Sequence, residues 1–450
     1  MRIHFIAIGG SAMHNLAIAL HKKGYQISGS DDVIFEPAKS RLDKYNLLPE
    51  EMGWNPERIS HYLDAVILGM HARIDNPELI KAQELGLKIY SYPEYIYEQS
   101  KNKLRVVIGG SHGKTTITSM ILHVLNFYKR DFDYLVGAQL AGFETMVKVT
   151  EDAPVMIIEG DEYLSSPIDR RPKFHLYHAN VAVISGIAWD HINVFPTYAD
   201  YTEQFDKFIN TIEAGGSLIY CKADKDLNEI VEHSKADVKK NAYAIPEHEI
   251  VNGITYLLPE RTALKIFGDH NLMNLNAAKL VCNELDIDAK MFNEAISSFT
   301  GAAKRLEVIS SDDLTNVYKD FAHSPSKLKA TIDAVKTQFT DRKLVACIEL
   351  HTFSSLNKDF LKEYAGSMDN ADDAIVFIDL KSFEQKRMEP FSEEDVREAF
   401  ANPNLKFFND AKELKAYLLG LNYSNANLLM MSSGNYAGFD LPELAASLKR

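Results

Sequence analysis

Cysteine is scarce in this sequence, and its few thiols are far apart. Cys221, Cys282 and Cys347 are the three cysteines among 450 residues. Their wide separation argues against a disulfide framework and against a structural zinc site, because both are built from cysteines at short paired spacings. We therefore expect a protein of a reducing compartment, the cytoplasm.

The sequence also lacks long apolar runs and an excess of basic residues. No stretch approaches the ~18 consecutive apolar residues of a membrane-spanning helix. The N-terminus has neither the long apolar core nor the small-residue cleavage site of a signal peptide. A formal net charge of -14 disfavours nonspecific binding to nucleic acid, which requires a concentrated basic surface. We expect a soluble monomer or weak homodimer with neither a membrane nor a nucleic-acid partner.

What the sequence does contain is a repeated alternation of short apolar runs with helical patterns. The run Ile3 to Ile8 predicts a buried strand, the turn Gly9-Gly10-Ser11-Ala12 follows, and Met13 to Leu20 has the apolar period of a helix. Alternation of this kind predicts an α/β fold built on parallel sheets. Further predicted strands are Gln26 to Gly29, Ala65 to Leu68, Leu104 to Ile108, Val155 to Ile158, Val181 to Ile184, Asn316 to Tyr318, Leu344 to Ile348, Ala374 to Ile378 and Asn427 to Met431.

The length of the chain bounds the number of domains. At 450 residues, and with ~100 to 200 residues in an ordinary domain, we expect three domains. A polar and aromatic stretch, Tyr92 to Lys103, interrupts the first α/β pattern, and Phe299-Thr300-Gly301 interrupts the second. We therefore predict domains at residues 1–100, 101–301 and 302–450.

A glycine-rich loop follows the predicted strand Leu104 to Ile108. Its sequence is Gly110-Ser111-His112-Gly113-Lys114-Thr115-Thr116. In such a loop backbone amides surround phosphate oxygens, a lysine neutralises them and a hydroxyl holds magnesium; here Lys114 and Thr115 would have the last two roles. The full phosphate-loop pattern has glycine at the position of Ile108, so this loop is a shortened variant, and a chance glycine turn is the alternative.

Polar residues follow two further predicted strands. Glu159-Gly160-Asp161-Glu162 follows one, and Trp189-Asp190-His191 follows the other. The carboxyl ends of parallel strands face the crevice in which such sheets bind ligands, so Glu159 could hold magnesium with Thr115, and His191 could bind a metal or a substrate. Taken alone, the first segment fits a solvated acidic turn equally well, and the histidine fits a hydrogen-bonded loop residue better.

Three more polar segments have ordinary structural explanations when each is taken singly. His270-Asn271-Leu272-Met273-Asn274 begins a predicted helix, which His and Asn side chains can cap. Lys304-Arg305-Leu306-Glu307 fits a lone ion pair, and Lys319-Asp320-Phe321-Ala322-His323 fits a turn.

Taken in order, these segments resemble the Mur ligases of peptidoglycan synthesis over essentially the whole chain. The resemblance implies an N-terminal Rossmann-like domain for a UDP-sugar and a central ATPase domain of the P-loop type with a parallel sheet. It also implies a C-terminal Rossmann-like domain that completes the ATP site and receives the amino substrate. The implied activity is ATP-dependent amide formation with ATP and Mg²⁺ as cofactors.

The resemblance implies a role for each matching residue. The implied catalytic residues are Lys114, Glu159, His191, Arg305 and Asp320. The implied ATP contacts are Gly110, His112, Gly113, Lys114, Thr115, Thr116, His270, Asn271, Asn274, Arg305, Asp320 and His323, and the implied magnesium ligands are Thr115, Glu159 and His191. The implied UDP-sugar contacts are Gly9, Gly10, Ser11, Met13, Ser30 and Asp31. A basic cluster that could meet an acidic peptide, or else form a solvated turn, is Arg170, Arg171 and Lys173.

The resemblance also indicates a branch of the family. Phe205 stands where enzymes that add later amino acids often have a carbamylated lysine, which indicates the muramate-directed branch. The segment from Tyr163 to Tyr177 and the motif Asp320-Phe321-Ala322-His323 resemble the murein peptide ligases. We therefore expect ligation of UDP-N-acetylmuramate to L-alanyl-γ-D-glutamyl-meso-diaminopimelate in peptidoglycan recycling.

Three other functions stay open at this point. Ligation of free L-alanine to the same UDP-sugar is the alternative within the branch. A nucleotide-dependent regulatory protein without ligase activity is less favoured, because mere binding does not need Glu159, His191, Arg305 and Asp320 together. A dehydrogenase is the weakest alternative, because the turn Ala7-Ile8-Gly9-Gly10-Ser11-Ala12-Met13 has alanine at two glycine positions of such turns.

Overall fold

The structure is a computed structural model, which describes residues 1–140, 142–189, 194–302 and 305–449. The chain divides into two compact units. The first unit comprises Met1–Ala244 and Met273–Ile296, and the second comprises Ile245–Leu272 and Ser297–Arg450. No helix in the described ranges is both long and apolar enough to cross a membrane.

The first unit begins with a parallel sheet of four strands in the order β2-β1-β3-β4. These strands are β1 (Arg2–Ile6), β2 (Gln26–Ser30), β3 (Ala65–Leu68) and β4 (Ile89–Ser91). β3 is a fully buried apolar run, and β1 is buried from Ile3 to Ile6, as expected for strands that are covered on both faces. Because β1 and β2 pair in parallel, the turns that follow them lie side by side.

A second sheet of seven strands follows in the order β11-β10-β9-β5-β8-β6-β7. Its strands are β5 (Leu104–Gly109), β6 (Asp133–Leu135), β7 (Val147–Lys148), β8 (Val155–Glu159), β9 (Val181–Ile184), β10 (Ser217–Cys221) and β11 (Lys239–Tyr243). β7 pairs antiparallel with β6, and the other pairs are parallel. β5 lies between β8 and β9, so the loops after these three strands meet at one edge of the sheet.

Helices cover these two sheets, and several of them begin at a side chain that caps the first turn. Asn76 accepts hydrogen bonds from the backbone of Glu78 and Leu79 and is followed by a proline, which starts a helix. The helices are α1 (Ser11–Lys22), α2 (Ala38–Lys44), α3 (Pro77–Glu84), α4 (Tyr92–Ser100), α5 (Lys114–Phe127), α6 (Tyr198–Ile209), α7 (Lys225–His233), α8 (Asp269–Glu284) and α9 (Ala289–Ile296). The first four residues of α8 belong to the second unit. Short 3-10 turns occur at Pro56–Arg58 and Lys173–Leu176.

The second unit contains an antiparallel sheet of three strands and a mostly parallel sheet of six strands, in the order β15-β16-β20-β17-β18-β19. The small sheet consists of β12 (His248–Val251), β13 (Ile254–Leu257) and β14 (Thr262–Leu264). The larger sheet consists of β15 (Glu307–Ser311), β16 (Asn316–Asp320), β17 (Lys343–Glu349), β18 (Asp373–Phe377), β19 (Lys406–Phe408) and β20 (Ala426–Met431).

The larger sheet of the second unit separates two apolar clusters. Leu344, Ala346 and Ile348 face one cluster, whereas Val345 and Cys347 face the other, which is the two-residue period of a strand buried on both sides. The helices of this unit are α10 (Pro325–Gln338), α11 (Lys358–Leu361), α12 (Lys381–Lys386), α13 (Glu393–Ala399), α14 (Ala411–Gly420) and α15 (Leu441–Ala446), with a 3-10 turn at Lys362–Tyr364.

The predicted α/β fold on parallel sheets is confirmed. Each predicted strand overlaps an observed one, and β3 and β9 have the predicted bounds. The stretch from Tyr92, where we expected an interruption, instead forms α4 with a capping box of Ser91 and Glu94. The small antiparallel sheet was not predicted.

All three cysteines are buried in the folded chain and none forms a disulfide. Cys282 and Cys347 are fully inaccessible, and Cys221 is 4% exposed. Burial in apolar surroundings raises the pKa of each thiol, so the three are protonated in neutral solution.

His175 is a buried histidine that should make the fold sensitive to acid. Its ring stacks on Phe174 at 4.8 Å between centroids, and Nε2 lies 2.7 Å from the carbonyl oxygen of Gln204. Burial lowers the pKa of His175 to about 4, although the contact with that carbonyl opposes the shift. The unfolded chain binds a proton with the ordinary pKa of 6.5, so stability falls as the pH drops from 6.5 towards about 4.

We therefore expect wild type to lose about 2 kcal/mol of unfolding free energy through His175 between pH 7 and pH 5. The variant His175→Gln should lose correspondingly less over the same interval, whatever its stability at pH 7. Urea midpoints at both pH values measure the difference. The exposed His61 supplies the control, His61→Gln, which should behave as wild type does. Equal pH dependence of wild type and His175→Gln would contradict the assignment.

Candidate active site

The glycine-rich loop joins β5 to α5, and two glycines determine its shape. Gly110 and Gly113 have φ of +122° and +80°, in the left-handed region. A Cβ on Gly110 would lie 2.3 Å from Ser185 Oγ, and a Cβ on Gly113 would lie 2.3 Å from Asn274 Oδ1. Both the backbone conformation and the close neighbours therefore require glycine. The Ser111 amide donates to the carbonyl of Gly186 at 2.9 Å, which fastens the loop to the turn after β9.

Lys114 is the first residue of α5, and its ammonium group lies over the loop. Nζ donates to the carbonyl of Gly110 at 2.6 Å and to Glu162 Oε2 at 2.7 Å. Burial lowers the pKa of Lys114, but the carboxylates of Glu162 and Asp161 outweigh burial, and the pKa is raised. A charged lysine at the start of a helix, beside backbone amides, is suited to neutralise phosphate oxygens.

Thr115 and Glu159 form a second polar pair at the same edge of the sheet. The Thr115 hydroxyl donates to Glu159 Oε1 at 2.7 Å, and the Gly137 amide donates to Oε2 at 2.8 Å. Burial raises the pKa of Glu159, while these two hydrogen bonds oppose the shift. A hydroxyl and a carboxylate in contact fit Mg²⁺, which takes few protein ligands and keeps waters and substrate phosphates in its remaining positions. The third predicted magnesium ligand, His191, lies outside the described residues.

The predicted UDP-sugar contacts lie at the carboxyl edge of the first sheet. Asp31, which follows β2, accepts a hydrogen bond from the Gly9 amide at 2.7 Å. Burial raises the pKa of Asp31 to about 6, against the effect of that bond. Ala7 keeps a left-handed φ of 68° despite its methyl group, at a cost of about 1 kcal/mol. The structure brings these residues together: Gly9, Gly10, Ser11, Met13, Ser30 and Asp31.

The predicted basic cluster does not form a free cationic patch. Arg171 pairs with Asp169 at 2.6 Å and lies 3.6 Å from Glu94. Lys173 pairs with Asp161 at 2.6 Å. Two of the three positive charges are therefore compensated within the segment, and the third residue, Arg170, is exposed.

In the second unit the structure groups Arg305, Asp320 and His323 at the carboxyl end of β16. Asp320 is 4% exposed and accepts from the backbone amides of Leu306 and Ala322, each at 2.7 Å. Burial raises the pKa of Asp320, although the Arg305 charge and these amides oppose the shift. The Arg305 guanidinium lies 5.2 Å from the centre of the Phe321 ring.

The predicted adenine-side residues are divided by the boundary between the units. His270 and Asn271 belong to the second unit, where the Asn271 side chain donates to the carbonyl of Phe267 at 2.9 Å. Asn274 belongs to the first unit and lies beside Gly113. The capping function considered from the sequence therefore does not describe Asn271, whose side chain bonds a carbonyl rather than an amide.

Sequence reasoning missed two groups that orient Lys114 and Glu159. Glu162 is the ion-pair partner of Lys114, with a side chain that is 0% exposed. Its position three residues after Glu159 in the acidic segment was the available signal. The other group is the Gly137 amide, which holds Glu159 and which no side-chain pattern reveals.

Comparison with known families identifies the family to which this chain belongs. Residues 2–103 match the model described as Mur ligase family, catalytic domain, residues 108–282 match the Mur ligase middle domain, and residues 304–434 match the Mur ligase, glutamate ligase domain. A UDP-N-acetylmuramate–L-alanine ligase of Caldicellulosiruptor bescii is 31% identical over 391 residues, which are 83% of this chain and 82% of the relative. This chain belongs to the Mur ligase family.

Other relatives and solved structures agree with the assignment. The UDP-N-acetylmuramate–L-alanine ligase of Desulforamulus reducens is 28% identical over 454 residues, covering 96% of this chain and 94% of the relative. The structure of a UDP-N-acetylmuramate–alanine ligase from Thermotoga maritima matches with a TM-score of 0.67 at 20% identity, covering 97% and 96% of the two chains. A murein peptide ligase from Psychrobacter arcticus matches with a TM-score of 0.62 at 22% identity, covering 99% and 98%.

Family membership settles the class of activity. Mur ligases are ATP-dependent enzymes that form amide bonds and release ADP, so this chain is a ligase rather than a dehydrogenase or a regulatory protein without ligase activity. The three-domain α/β architecture implied by the sequence is confirmed as well. Phe205, at the position that indicated the muramate-directed branch, is fully buried and packs against Phe174 and Tyr201.

Proposed function

We propose that this Mur ligase joins the carboxylate of UDP-N-acetylmuramate to the amino group of L-alanine. The observation that supports the proposal is the match, over 96% of the chain, to a relative named UDP-N-acetylmuramate–L-alanine ligase. The amine substrate that we propose first is therefore free L-alanine. This differs from our expectation from sequence, which was a peptide that begins with L-alanine.

Two observations favour free L-alanine over the peptide. Relatives named UDP-N-acetylmuramate–L-alanine ligase match this chain at 26% to 31% identity. The internal ion pairs of Arg171 and Lys173 also remove the main electrostatic reason for expecting an acidic peptide at that segment. A solvated and internally compensated turn explains the segment with no ligand.

The peptide L-alanyl-γ-D-glutamyl-meso-diaminopimelate is the second candidate, and the same segment is what favours it. Residues 164–172 form a loop closed by a bridge between Leu164 and Pro172, and the Ser165 amide donates to the carbonyl of Arg171 at 3.0 Å. This loop follows the acidic segment that contacts Lys114, and it presents the exposed Arg170. An arginine in that position could pair with a carboxylate of a longer amine substrate.

The proposed reaction has two steps. The lactoyl carboxylate of UDP-N-acetylmuramate attacks the γ-phosphorus of ATP, giving an acyl phosphate and ADP. The amine of the second substrate then attacks the acyl carbon, and inorganic phosphate leaves from the tetrahedral intermediate while the amine loses its proton. Lys114 and the loop amides would stabilise the negative charge on the transferring phosphoryl group. Glu162 would keep Lys114 charged and directed at the loop.

Thr115 and Glu159 would hold Mg²⁺ in this scheme. The ion would supply positive charge that reduces the repulsion between the sugar carboxylate and the ATP phosphates. The Gly137 amide would orient the Glu159 carboxylate, and the Thr115 hydroxyl would turn from Glu159 towards the ion. The roles implied for Arg305, Asp320, His270, Asn271, Asn274 and His323 stay predictions.

Purified protein with ATP, Mg²⁺ and UDP-N-acetylmuramate tests the proposal when L-alanine and the tripeptide are offered separately. We expect phosphate release and a new amide product, identified by mass, with L-alanine. Turnover with the tripeptide alone would replace the first candidate by the second. Arg170→Ala gives the matched comparison, because it should lower tripeptide turnover only if the second candidate is correct. Turnover with neither amine would refute the proposal.

A further inference from the structure

A continuous series of hydrogen bonds joins the predicted sugar-binding turn to the Thr115–Glu159 pair. The series begins at Ser11, passes through Asn15 to Met146, and crosses the β6–β7 hairpin to Gly137 and Glu159. We propose that Asn15 is a positioning residue that couples occupation of the sugar turn to the placement of Glu159. The inference rests on the proposed function, because it takes UDP-N-acetylmuramate as the ligand of that turn.

Asn15 is suited to this role by its burial and by the use of both ends of its amide. The residue is 0% exposed. Nδ2 donates to the carbonyl of Ser11 at 2.8 Å, and Oδ1 accepts from the Met146 amide at 2.9 Å. Since one contact needs a donor and the other an acceptor, only one orientation of the amide satisfies both. Asn15 therefore fixes the first turn of α1 relative to the start of β7.

The second half of the series is short. The Val136 amide donates to the carbonyl of Met146 at 2.9 Å, and the next residue, Gly137, donates to Glu159 Oε2 at 2.8 Å. A Cβ on Gly137 would lie 2.7 Å from Glu159 Oε1, so backbone and carboxylate are in close contact. A displacement of the hairpin is thus transmitted directly to Glu159, and Thr115 bonds the same carboxylate at 2.7 Å.

A second and different connection joins the same two regions at the surface. Glu144 pairs with Lys22 at 2.7 Å and with Lys44 at 3.1 Å, and it also accepts from the Tyr45 hydroxyl. The Glu144 side chain is 56% exposed, so salt screens these contacts. They hold the hairpin near α1 and α2 without contacting either end of the series. Glu144 therefore provides a matched control, because its substitution weakens the contact between the hairpin and these helices and leaves the hydrogen bonds of the series in place.

Asn15 meets the predicted sugar turn only at the backbone carbonyl of Ser11, and no hydrogen bond joins it to Thr115 or Glu159 among the described residues. Its effect should therefore appear as coupling between ligands rather than as loss of a ligand contact. A ligand at Gly9 to Ser11 would fix the turn that Asn15 holds, and Asn15 would fix Gly137 in turn. Binding of UDP-N-acetylmuramate should then strengthen binding of a nucleotide with Mg²⁺, and the reverse should hold by the same factor. Loss of Asn15 should leave each ligand able to bind alone.

Calorimetry on the full chain tests this with UDP-N-acetylmuramate, Mg²⁺ and a non-hydrolysable ATP analogue. In wild type we expect each ligand to lower the dissociation constant of the other by about fivefold or more. Asn15→Asp keeps the size of the side chain but turns an acceptor towards the Ser11 carbonyl, and the coupling factor should fall close to one. Each ligand alone should bind within about threefold of wild type. Glu144→Gln should keep most of the coupling.

Three results would overturn the inference. They are unchanged coupling in Asn15→Asp, an equal loss of coupling in Glu144→Gln, and no coupling in wild type that binds both ligands. If Asn15→Asp fails to fold, as judged by its thermal melt, Asn15→Ser removes both bonds without adding charge and is measured in its place. Wild type that does not bind UDP-N-acetylmuramate at all would refute the proposed function as well, so the two failures are distinguishable.

Discussion

Replacement of Lys114 by methionine should reduce turnover by about a thousandfold, because it removes the one charge that the loop directs at the phosphoryl group. The methionine side chain has a similar length and leaves the loop glycines in place. Steady-state phosphate release with saturating substrates measures the loss in kcat. Lys114→Arg should recover little, because its planar fork cannot replace a compact ammonium between Gly110 and Glu162.

The same substitution affects stability, and this can be separated from catalysis. Glu162 has a fully buried side chain that would lose its ion-pair partner, which costs on the order of 3–5 kcal/mol. The double variant Lys114→Met/Glu162→Gln should therefore recover much of the lost unfolding free energy and none of the lost turnover. Urea denaturation and phosphate release measured on the same samples make the comparison. Recovery of turnover in the double variant would show that the loss came from misfolding.

Replacement of Glu159 by glutamine should lower kcat by about a hundredfold and raise the Mg²⁺ concentration needed for half-maximal turnover. The glutamine oxygen can still accept from Gly137, and its amide can still meet the Thr115 hydroxyl, so the local fold is preserved while the negative charge is lost. Turnover measured over a range of Mg²⁺ concentrations gives both values.

An acidic residue at the surface serves as the control for Glu159. Glu151, whose side chain is 81% exposed, can be changed to glutamine on the same unit. Glu151→Gln should leave both the rate and the Mg²⁺ dependence at wild-type values. An unchanged Mg²⁺ requirement in Glu159→Gln would show that this carboxylate does not hold the ion.

Much of the fold could be predicted because its strands are buried on both faces. Apolar runs such as Ala65–Leu68 and Val181–Ile184 have no other structural explanation in an alternating pattern. The antiparallel sheet of the second unit was missed because its strands are short and Ile250, Val251 and Ile254 are exposed. A local signal did exist, since Asn252-Gly253 joins β12 to β13 with positive φ at both residues, as two-residue hairpins require.

The candidate site divides in the same way. Lys114, Thr115 and Glu159 could be placed because they follow or begin elements whose ends meet at one sheet edge. The contacts that orient these side chains could not be predicted. The Gly137 amide is a backbone group, which no side-chain pattern reveals, and the pairing of Lys114 with Glu162 depends on their proximity in the folded chain. The ion pairs of the basic segment could not be predicted either: Arg170, Arg171 and Lys173 fitted an acidic-peptide contact or a solvated turn, and only the structure shows that Asp169 and Asp161 pair with two of them.

The burial of all three thiols has a practical consequence for measurements on this enzyme. Cys221, Cys282 and Cys347 are buried and protonated, so maleimide and disulfide reagents should leave the native protein unmodified. A single cysteine introduced on the surface would then be the sole attachment point for a fluorophore, without removal of the native ones. The rate at which the native thiols react would in turn report how often each region of the chain opens.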